Sequence, residues 1–440
     1  KMFKETSKEL LDFLSKCPTA FHAVENYRQI LNADGFEELL ESEHWNIVPG
    51  GKYYVTRNNT SILAFKVGTK LDNYSFNIVT SHTDSPTFKV KENAEIEVKN
   101  KYTQLNTEGY GGMLCATWLD RPLSIAGRVL VSEGNSIVTK LLNIDRDLLM
   151  IPNVAIHMNR AANDGFKYNL QVDMLPLLSA GDDRQKDFKQ IIADELGVKK
   201  EDILGHDLYL YNRMAPSIWG ANEEFISAGH LDDLQCGFAS LKALLAGYND
   251  ESIDIMACFD NEEVGSGTKQ GADSTLLRDT LTRINSALGK TEEDYHRALA
   301  SSFMLSADNA HAVHPNHPEH TDATNCTYMN EGVVVKSHAG QKYTSDGVSM
   351  AVVKTLASGV DVPLQYFANR SDKAGGSTLG NIAMAQASMN AVDIGLPQLA
   401  MHSSYETAGI KDTYYAITLM KALFNSHIQE TSTHSLEIKR

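Results

Sequence analysis

The sequence has no Cys-x-x-Cys pair, no long apolar run and no surplus of positive charge, and each absence removes a class of function. Its five cysteines (Cys17, Cys115, Cys236, Cys258 and Cys326) are odd in number and widely scattered. Such usage fits reduced thiols in a cytosolic protein and argues against a disulfide framework or a cysteine-type zinc site. Any metal would need histidine and carboxylate ligands. No stretch approaches the roughly eighteen apolar residues of a membrane helix, and no signal peptide opens the chain, so a cytoplasmic location is expected. Lys1 precedes Met2 and reads as an expression remnant, and the polar stretch 430–440 reads as a flexible tail. Basic residues number 40 against 56 acidic ones, a net charge of −16. That sign disfavours nucleic acid and anionic membranes as partners.

What is present describes a globular chain. Its 440 residues are 42% hydrophobic and 22% charged, and this length predicts two domains. The first ninety residues combine an amphipathic opening helix (Leu10, Leu11, Phe13, Leu14) with strand-like runs at Tyr53–Val55 and Ser61–Phe65. From about residue 94 to 221 the texture is β-rich. Glu95–Val98 and Gly127–Val131 read as strands, the latter paired through Ser132–Asn135 with Ser136–Leu142, and Lys186–Leu196 reads as a helix. Beyond residue 222 the pattern alternates. Apolar residues at Leu234, Phe238, Leu241 and Leu245 predict a helix over Leu231–Tyr248. Ile253–Phe259, Phe303–Leu305, Val333–Val335 and Gln398–Met401 read as short apolar strands of a parallel sheet covered on both faces.

Four such strands run directly into side chains that bind metals. Asn77–Ser81 ends on His82, with Asp84 two residues on. Ile253–Phe259 ends on Asp260-Asn261-Glu262-Glu263, Phe303–Ser306 ends near Asp308, and Gln398–Met401 ends on His402. Ligands of open α/β sheets bind beyond the carboxyl ends of the strands, so these residues are expected to converge, with Asp232 joining from a helix N-terminus. Imidazole and carboxylate suit zinc, and also cobalt or manganese. Two such ions can share a bridging carboxylate, polarise a carbonyl and activate water. A free carboxylate beside a ligand can act as general base, and Glu262-Glu263 offers both roles side by side. Taken singly, each residue has an ordinary explanation. His82 alone is more often structural, Asp84 alone a turn-former before Pro86, a Glu pair a solvated surface, and Asp232-Asp233 a helix cap. The run His311-Ala-Val-His314-Pro-Asn-His317-Pro-Glu-His320 contains prolines that prevent a regular helix. It reads as a loop, with His314, His317 and His320 outside the site.

Together the segments Ser81–Pro86, Leu231–Leu234, Phe259–Ser266, Ser306–Asn316 and Gln398–Ser403 resemble, in this order, the aspartyl aminopeptidase family in a bacterial-type form. The resemblance implies a three-layer α/β/α zinc peptidase domain (1–93 and 222–440) interrupted by a β-rich dimerisation domain (94–221). It implies two metal ions, one on His82, Asp232 and Asp308 and the other on Asp232, Glu263 and His402, with Asp232 bridging. Asp84 would orient His82, and Glu262 would move the proton of the attacking water to the leaving amine. His157, in Ile151–His157, would stabilise the negative oxygen, reaching the site of a neighbouring subunit. His311, Lys336 and Tyr343 match residues that contact substrate in relatives. A lysine there accounts for a preference for N-terminal Asp or Glu; alone, Lys336 reads as an exposed cation after a strand. Relatives assemble into tetrahedral dodecamers that admit only short peptides. Two departures stand out: Asp233 replaces an asparagine common in relatives, and His230 stands where arginine is expected. The same ligands would also serve a related dinuclear deacylase or carboxypeptidase. A non-catalytic assembly or cargo-receptor protein on this fold is expected to have lost ligands or the base, and here all are present.

Overall fold

The computed structural model describes residues 1–440. Its centre is a nine-stranded sheet in the order Glu37–Leu39, Lys52–Arg57, Ser61–Val67, Ser252–Phe259, Ser75–His82, Phe303–Ala307, Asn390–Gly395, Val333–Lys336 and Leu364–Phe367. The four middle strands, from Ser252–Phe259 to Asn390–Gly395, are mutually parallel. Every residue of Ser75–His82 and of Ser252–Phe259 is buried, as expected where helices cover both faces. Alternation along each strand divides the core in two. Ile62, Ala64, Val79, Met256 and Cys258 pack with the helices Met2–Ser15, Ala20–Ala33, Leu231–Ala246, Gly347–Ser358 and Asp412–Phe424. Leu63, Phe65, Ile78, Ile255 and Ala257 face the helices Leu276–Ala287, Glu292–Ser301 and Leu379–Ala383. The result is a three-layer α/β/α arrangement, and no helix is long and apolar enough to cross a membrane.

Between the strands Ser75–His82 and Phe225–Ala228 the chain builds a second, antiparallel sheet of six strands with its own core. Its strands lie in the order Ser136–Asn143, Leu123–Glu133, Ile203–Asn212, Thr87–Val98, Tyr102–Tyr110 and Leu177–Ala180. The hairpin expected across Ser132–Asn135 is present, with Glu133 opposite Ser136, and the helix Phe188–Leu196 packs on this sheet through Phe188 and Ile192. The sheet already begins at Thr87, earlier than the change of texture at residue 94.

Three expectations need correction. Gln398–Met401 is not a strand of the main sheet; Pro397–Leu399 belongs to a separate five-stranded sheet with Ser217–Trp219, Phe225–Ala228, Glu406–Gly409 and Ala310–His311. The place beside Phe303–Ala307 is taken by Asn390–Gly395, a strand that polar flanking residues had hidden. The stretch 430–440 is no loose tail: His427–Ser432 pairs with Ser435–Lys439, and Ile428, Leu436 and Ile438 pack on the core. The helix Leu231–Ala246 opens irregularly, with a cis peptide between Asp232 and Asp233 and non-helical backbone at both.

Candidate metal centre

The parallel strands deliver their terminal side chains to one place. His82 closes its strand, is fully buried, and lies in register with Phe259, the last residue of the neighbouring strand. Past Phe259 the chain turns through Asn261, whose φ of 60° is left-handed, into the short 3-10 turn Glu262–Val264. Asn is one of the few residues that takes this conformation readily. Asp308 follows the strand Phe303–Ala307. His402 arrives from the five-stranded sheet on a tight turn with positive φ at both Ala400 and His402.

Asp232 stands between the two histidines. Its Oδ1 is 3.2 Å from His82 Nε2, and its Oδ2 is 3.3 Å from His402 Nε2. Asp308 Oδ1 lies 3.3 Å from His82 Nε2, and Glu263 Oε2 lies 3.2 Å from His402 Nε2. Donors about 2.0–2.1 Å from a tetrahedral zinc ion stand about 3.3 Å from one another, so these four separations match what two ions would impose. His82 Nε2, Asp232 Oδ1 and Glu263 Oε1 are buried and lack any hydrogen-bond partner. An orphaned buried polar atom is costly, and three on ligand-capable groups facing one another fit a site built for cations. His82, Asp232 and Glu263 form one group able to hold an ion, and His82, Asp233 and Asp308 another.

An outer layer fixes this geometry. His82 Nδ1 faces the Asp84 carbonyl at 3.0 Å and Asp84 Oδ1 at 3.1 Å. With two acceptors in front of it, Nδ1 carries the proton, which leaves the Nε2 lone pair for the centre. His402 is set the same way, its Nδ1 donating to the Gly112 carbonyl at 2.9 Å. Asp84 also accepts the backbone N–H groups of Glu262 (3.2 Å) and Glu263 (3.1 Å), so one carboxylate places a histidine and the Glu-Glu turn together. Glu262 Oε2 stands 3.6 Å from His82 Nε2 with 14% of its side chain exposed. It borders the cluster and keeps contact with solvent.

The electrostatics are those of crowded acids. Burial, then the charge of Asp308, pushes the Glu262 carboxyl up to about 10. Burial and Asp232 lift Glu263 to about 7. Against burial, Asp232 and Glu263 hold His402 up at about 11. Each shift records a demand for positive charge at this spot. Asp233, fully buried, accepts the His82 backbone N–H at 3.0 Å, and burial with the neighbouring Asp308 pushes its carboxyl well up. His230 adopts a left-handed φ of 64° just before the motif, and burial lowers its pKa to about 4.

The remaining expected residues lie at different distances from this cluster. Lys336 is buried, not the exposed cation that its position after a strand allows, and its Nζ donates to the carbonyls of Asp308 (2.6 Å) and Asn309 (3.1 Å). Its Nζ lies 5.7 Å from the centre of the Tyr343 ring. His311 lines a cleft of about 270 Å³ with Phe367, Lys373, Gln398 and Ala400. His157 sits on an exposed turn of the β-rich sheet's long excursion, and no hydrogen bond or ion pair ties it to the cluster. His314, His317 and His320 lie apart from the His82 group, as expected of the loop.

Sequence reasoning missed three contributors. Glu406 is buried, and its Oε1 accepts the Asp232 N–H (3.1 Å) while Oε2 accepts the His402 N–H (2.8 Å). Tyr110 donates its hydroxyl to Asp84 Oδ2 at 2.7 Å and accepts from Asn261 Nδ2 at 3.0 Å. Gly111, at φ 74°, lets the backbone pass so close that an added Cβ would stand 3.1 Å from Glu263 Cβ.

Comparison with known proteins places this geometry in a family. The model of the family "Aminopeptidase I zinc metalloprotease (M18)" matches residues 13–424. A probable M18 family aminopeptidase 2 of Clostridium novyi is 48% identical over 95% of this chain and 98% of its own length. One of Stutzerimonas stutzeri is 38% identical over 97% and 99%. Among solved structures, Ape4 in its complex with Nbr1 superposes with a TM-score of 0.92 at 34% identity, covering 96% of this chain and 86% of that one. The S. cerevisiae mApe1 dodecamer gives 0.84 at 28% identity over 96% and 97%. The chain belongs to the M18 family of aminopeptidase I zinc metalloproteases.

Proposed function

We propose that the protein removes single N-terminal residues, acidic ones first, from short peptides, with His82, Asp232 and Asp308 holding one divalent ion and Asp232, Glu263 and His402 the other. The observation that carries this reading is the division of Asp232 between His82 and His402, one oxygen to each. Zinc is the metal that the family's description names, and cobalt or manganese would suit the same donors. Two bound cations would polarise the scissile carbonyl and lower the pKa of water.

The chain's own residues do the rest. Glu262 accepts the proton of the attacking water and returns it to the amine nitrogen of the departing peptide. Burial and the neighbouring acids raise the Glu262 carboxyl, and two bound cations would lower it again, leaving the ionised form that can take the proton. Asp84 keeps Glu262 and His82 in fixed relation. The acidic side chain of the substrate would meet Lys336 with Tyr343 and His311 around it. Two donors of Lys336 are spent on Asp308 and Asn309, which leaves one for a carboxylate. His157 would complete the site of a neighbouring copy by donating to the negative oxygen of the transition state. Exposure of Val154, Ile156, Met158 and Val172 around it supports burial of this excursion between subunits. The stretch 94–221 would then be a dimerisation domain and the protein a cytoplasmic dodecamer; the dodecamer that mApe1 forms supports the oligomeric state alone.

The test is Glu262→Gln. This variant should keep two metal ions per chain and its fold, yet lose turnover by about a thousandfold, the scale of general-base catalysis. Substantial cleavage by that variant would sink the assignment. A panel of N-terminal aminoacyl substrates with wild-type protein reads the specificity: fastest release of Asp or Glu supports the Lys336 pocket, and preference for apolar or basic residues removes it while leaving the mechanism. A deacylase or carboxypeptidase of the same architecture would leave an amino-acid anilide intact.

A further inference from the structure

Away from Asp232, one other group of side chains brings metal-ligating atoms together. His317, Glu319 and His320 each present a ligand atom within 4.8 Å of the others, and all three are exposed. The 3-10 turn Pro318–His320 accounts for this, because three residues per turn bring positions i and i+3 over one another. The His317 and His320 rings are stacked, their centroids 5.2 Å apart. His317 Nδ1 faces Glu319 Oε1 at 3.0 Å. Pro315 and Pro318 restrict the backbone. The Glu319 carbonyl also accepts from Arg370, which Asp372 clasps through both carboxylate oxygens. The turn is therefore held in shape from outside itself. His314 is close, its ring 5.6 Å from that of His317. Its Nδ1 accepts the Asn316 N–H at 3.1 Å, so that lone pair is used and the proton sits on Nε2. It is left out of the set.

We propose that His317, Glu319 and His320 form a third, peripheral site for a divalent transition-metal ion. Two imidazoles and a carboxylate select zinc, nickel, cobalt or copper over magnesium and calcium, which take oxygen ligands. The site borders the cleft that His311 lines: His320 contributes to the same cleft of about 270 Å³ with His311 and Ala400, and Ala400 is two residues from His402. An ion bound here pins the loop from His311 to His320 and narrows the entrance, so metal in excess of the catalytic pair slows cleavage.

The experiment uses untagged full-length protein saturated at its tight sites, then titrated calorimetrically with Ni²⁺ or Zn²⁺. Wild type should take up one further equivalent. H317A/H320A should take up none, and E319Q should bind it about tenfold more weakly. Mg²⁺ should produce no binding heat. Excess Zn²⁺ should inhibit wild type and spare the double variant. Circular dichroism and melting of H317A/H320A should match wild type, since the replaced side chains are exposed. The proposal is overturned if wild type takes up no further ion, or if the double variant binds as many as wild type. The ion count is read without a substrate, so it stands or falls apart from the peptidase reading.

Discussion

The two ends of the strands Ser75–His82 and Ser252–Phe259 both carry buried polar groups, and they treat them in opposite ways. At the amino ends the donors find partners across the chain, and the leftover atoms, Asn77 Oδ1 and His427 Nε2, do not face one another as a set of ligands. Asn77 Nδ2 donates to Asp254 Oδ1 (3.0 Å) and to the carbonyls of Leu423 (3.1 Å) and Ser426 (2.6 Å). Ser252 donates to the Ser426 carbonyl, and Ser75 to that of Ile428. This network ties the helix Asp412–Phe424 and the C-terminal hairpin to the sheet. At the carboxyl ends the outer atoms are satisfied while the inner ones are not: Asp84 and Glu406 accept the N–H groups of Glu262, Glu263, Asp232 and His402, yet His82 Nε2, Asp232 Oδ1 and Glu263 Oε1 face each other with no partner. What separates the two ends is the arrangement of the atoms left over: scattered at one, and at the other an imidazole and two carboxylates turned toward one point, as an ion requires.

That contrast can be broken from the outside inward. Glu406→Ala removes the acceptor of both the Asp232 and His402 N–H groups without touching a ligand atom. Metal affinity should fall about 10–100-fold, the usual effect of losing such a partner, as read by competition with a chelator. Unchanged affinity would mean that Asp232 and His402 are placed by the backbone alone. Tyr110→Phe deletes one charge-assisted hydrogen bond to Asp84 and strands Asn261 Nδ2. It should lower stability by about 2 kcal/mol, measured by urea titration, and an unaltered midpoint would show the hydroxyl to be dispensable.

A pH-dependent effect belongs to the other end. Burial pushes the Asp254 carboxyl well above its ordinary range. Below the unfolded value of about 4 both states are protonated and nothing is lost. As pH rises toward the folded value, the unfolded chain releases the proton first, so stability falls by up to about 1.4 kcal/mol per pH unit from this group. Asp254→Asn should remove that part of the slope, leaving a flatter dependence of stability on pH above 4. Metal binding should be unchanged. Equal slopes in both proteins would show that Asp254 ionises freely in the fold.

Much of the site was legible because parallel strands end where ligands collect. His82, Glu263 and Asp308 follow short strand-like runs of four to seven residues, and that placement predicted their convergence. His402 was found for the wrong structural reason: its strand belongs to the small five-stranded sheet, yet the turn after it still delivers the side chain. Glu406 was invisible because it follows Ser403-Ser404-Tyr405, a polar stretch like any surface loop, and its role is defined only by two backbone N–H groups distant in sequence. Tyr110 stands between Gly109 and Gly111-Gly112, and nothing in that local sequence points to Asp84. The helix Ala20–Ala33 was missed as well. Its start is marked by Thr19, whose side chain accepts the His22 N–H, and its buried face (Phe21, Val24, Tyr27, Leu31) recurs at helical spacing, so this signal was present in the sequence. Long-range partners leave no local signal, whereas strand ends and helix faces do.

The central claim is that Asp232 is shared by two ions, and anomalous diffraction from crystals of the zinc-loaded protein measures this directly. Two metal positions are predicted, one bound by His82 and Asp308 and the other by Glu263 and His402, with a different oxygen of Asp232 on each. A single metal position, or two with Asp232 bound to only one of them, would contradict the account.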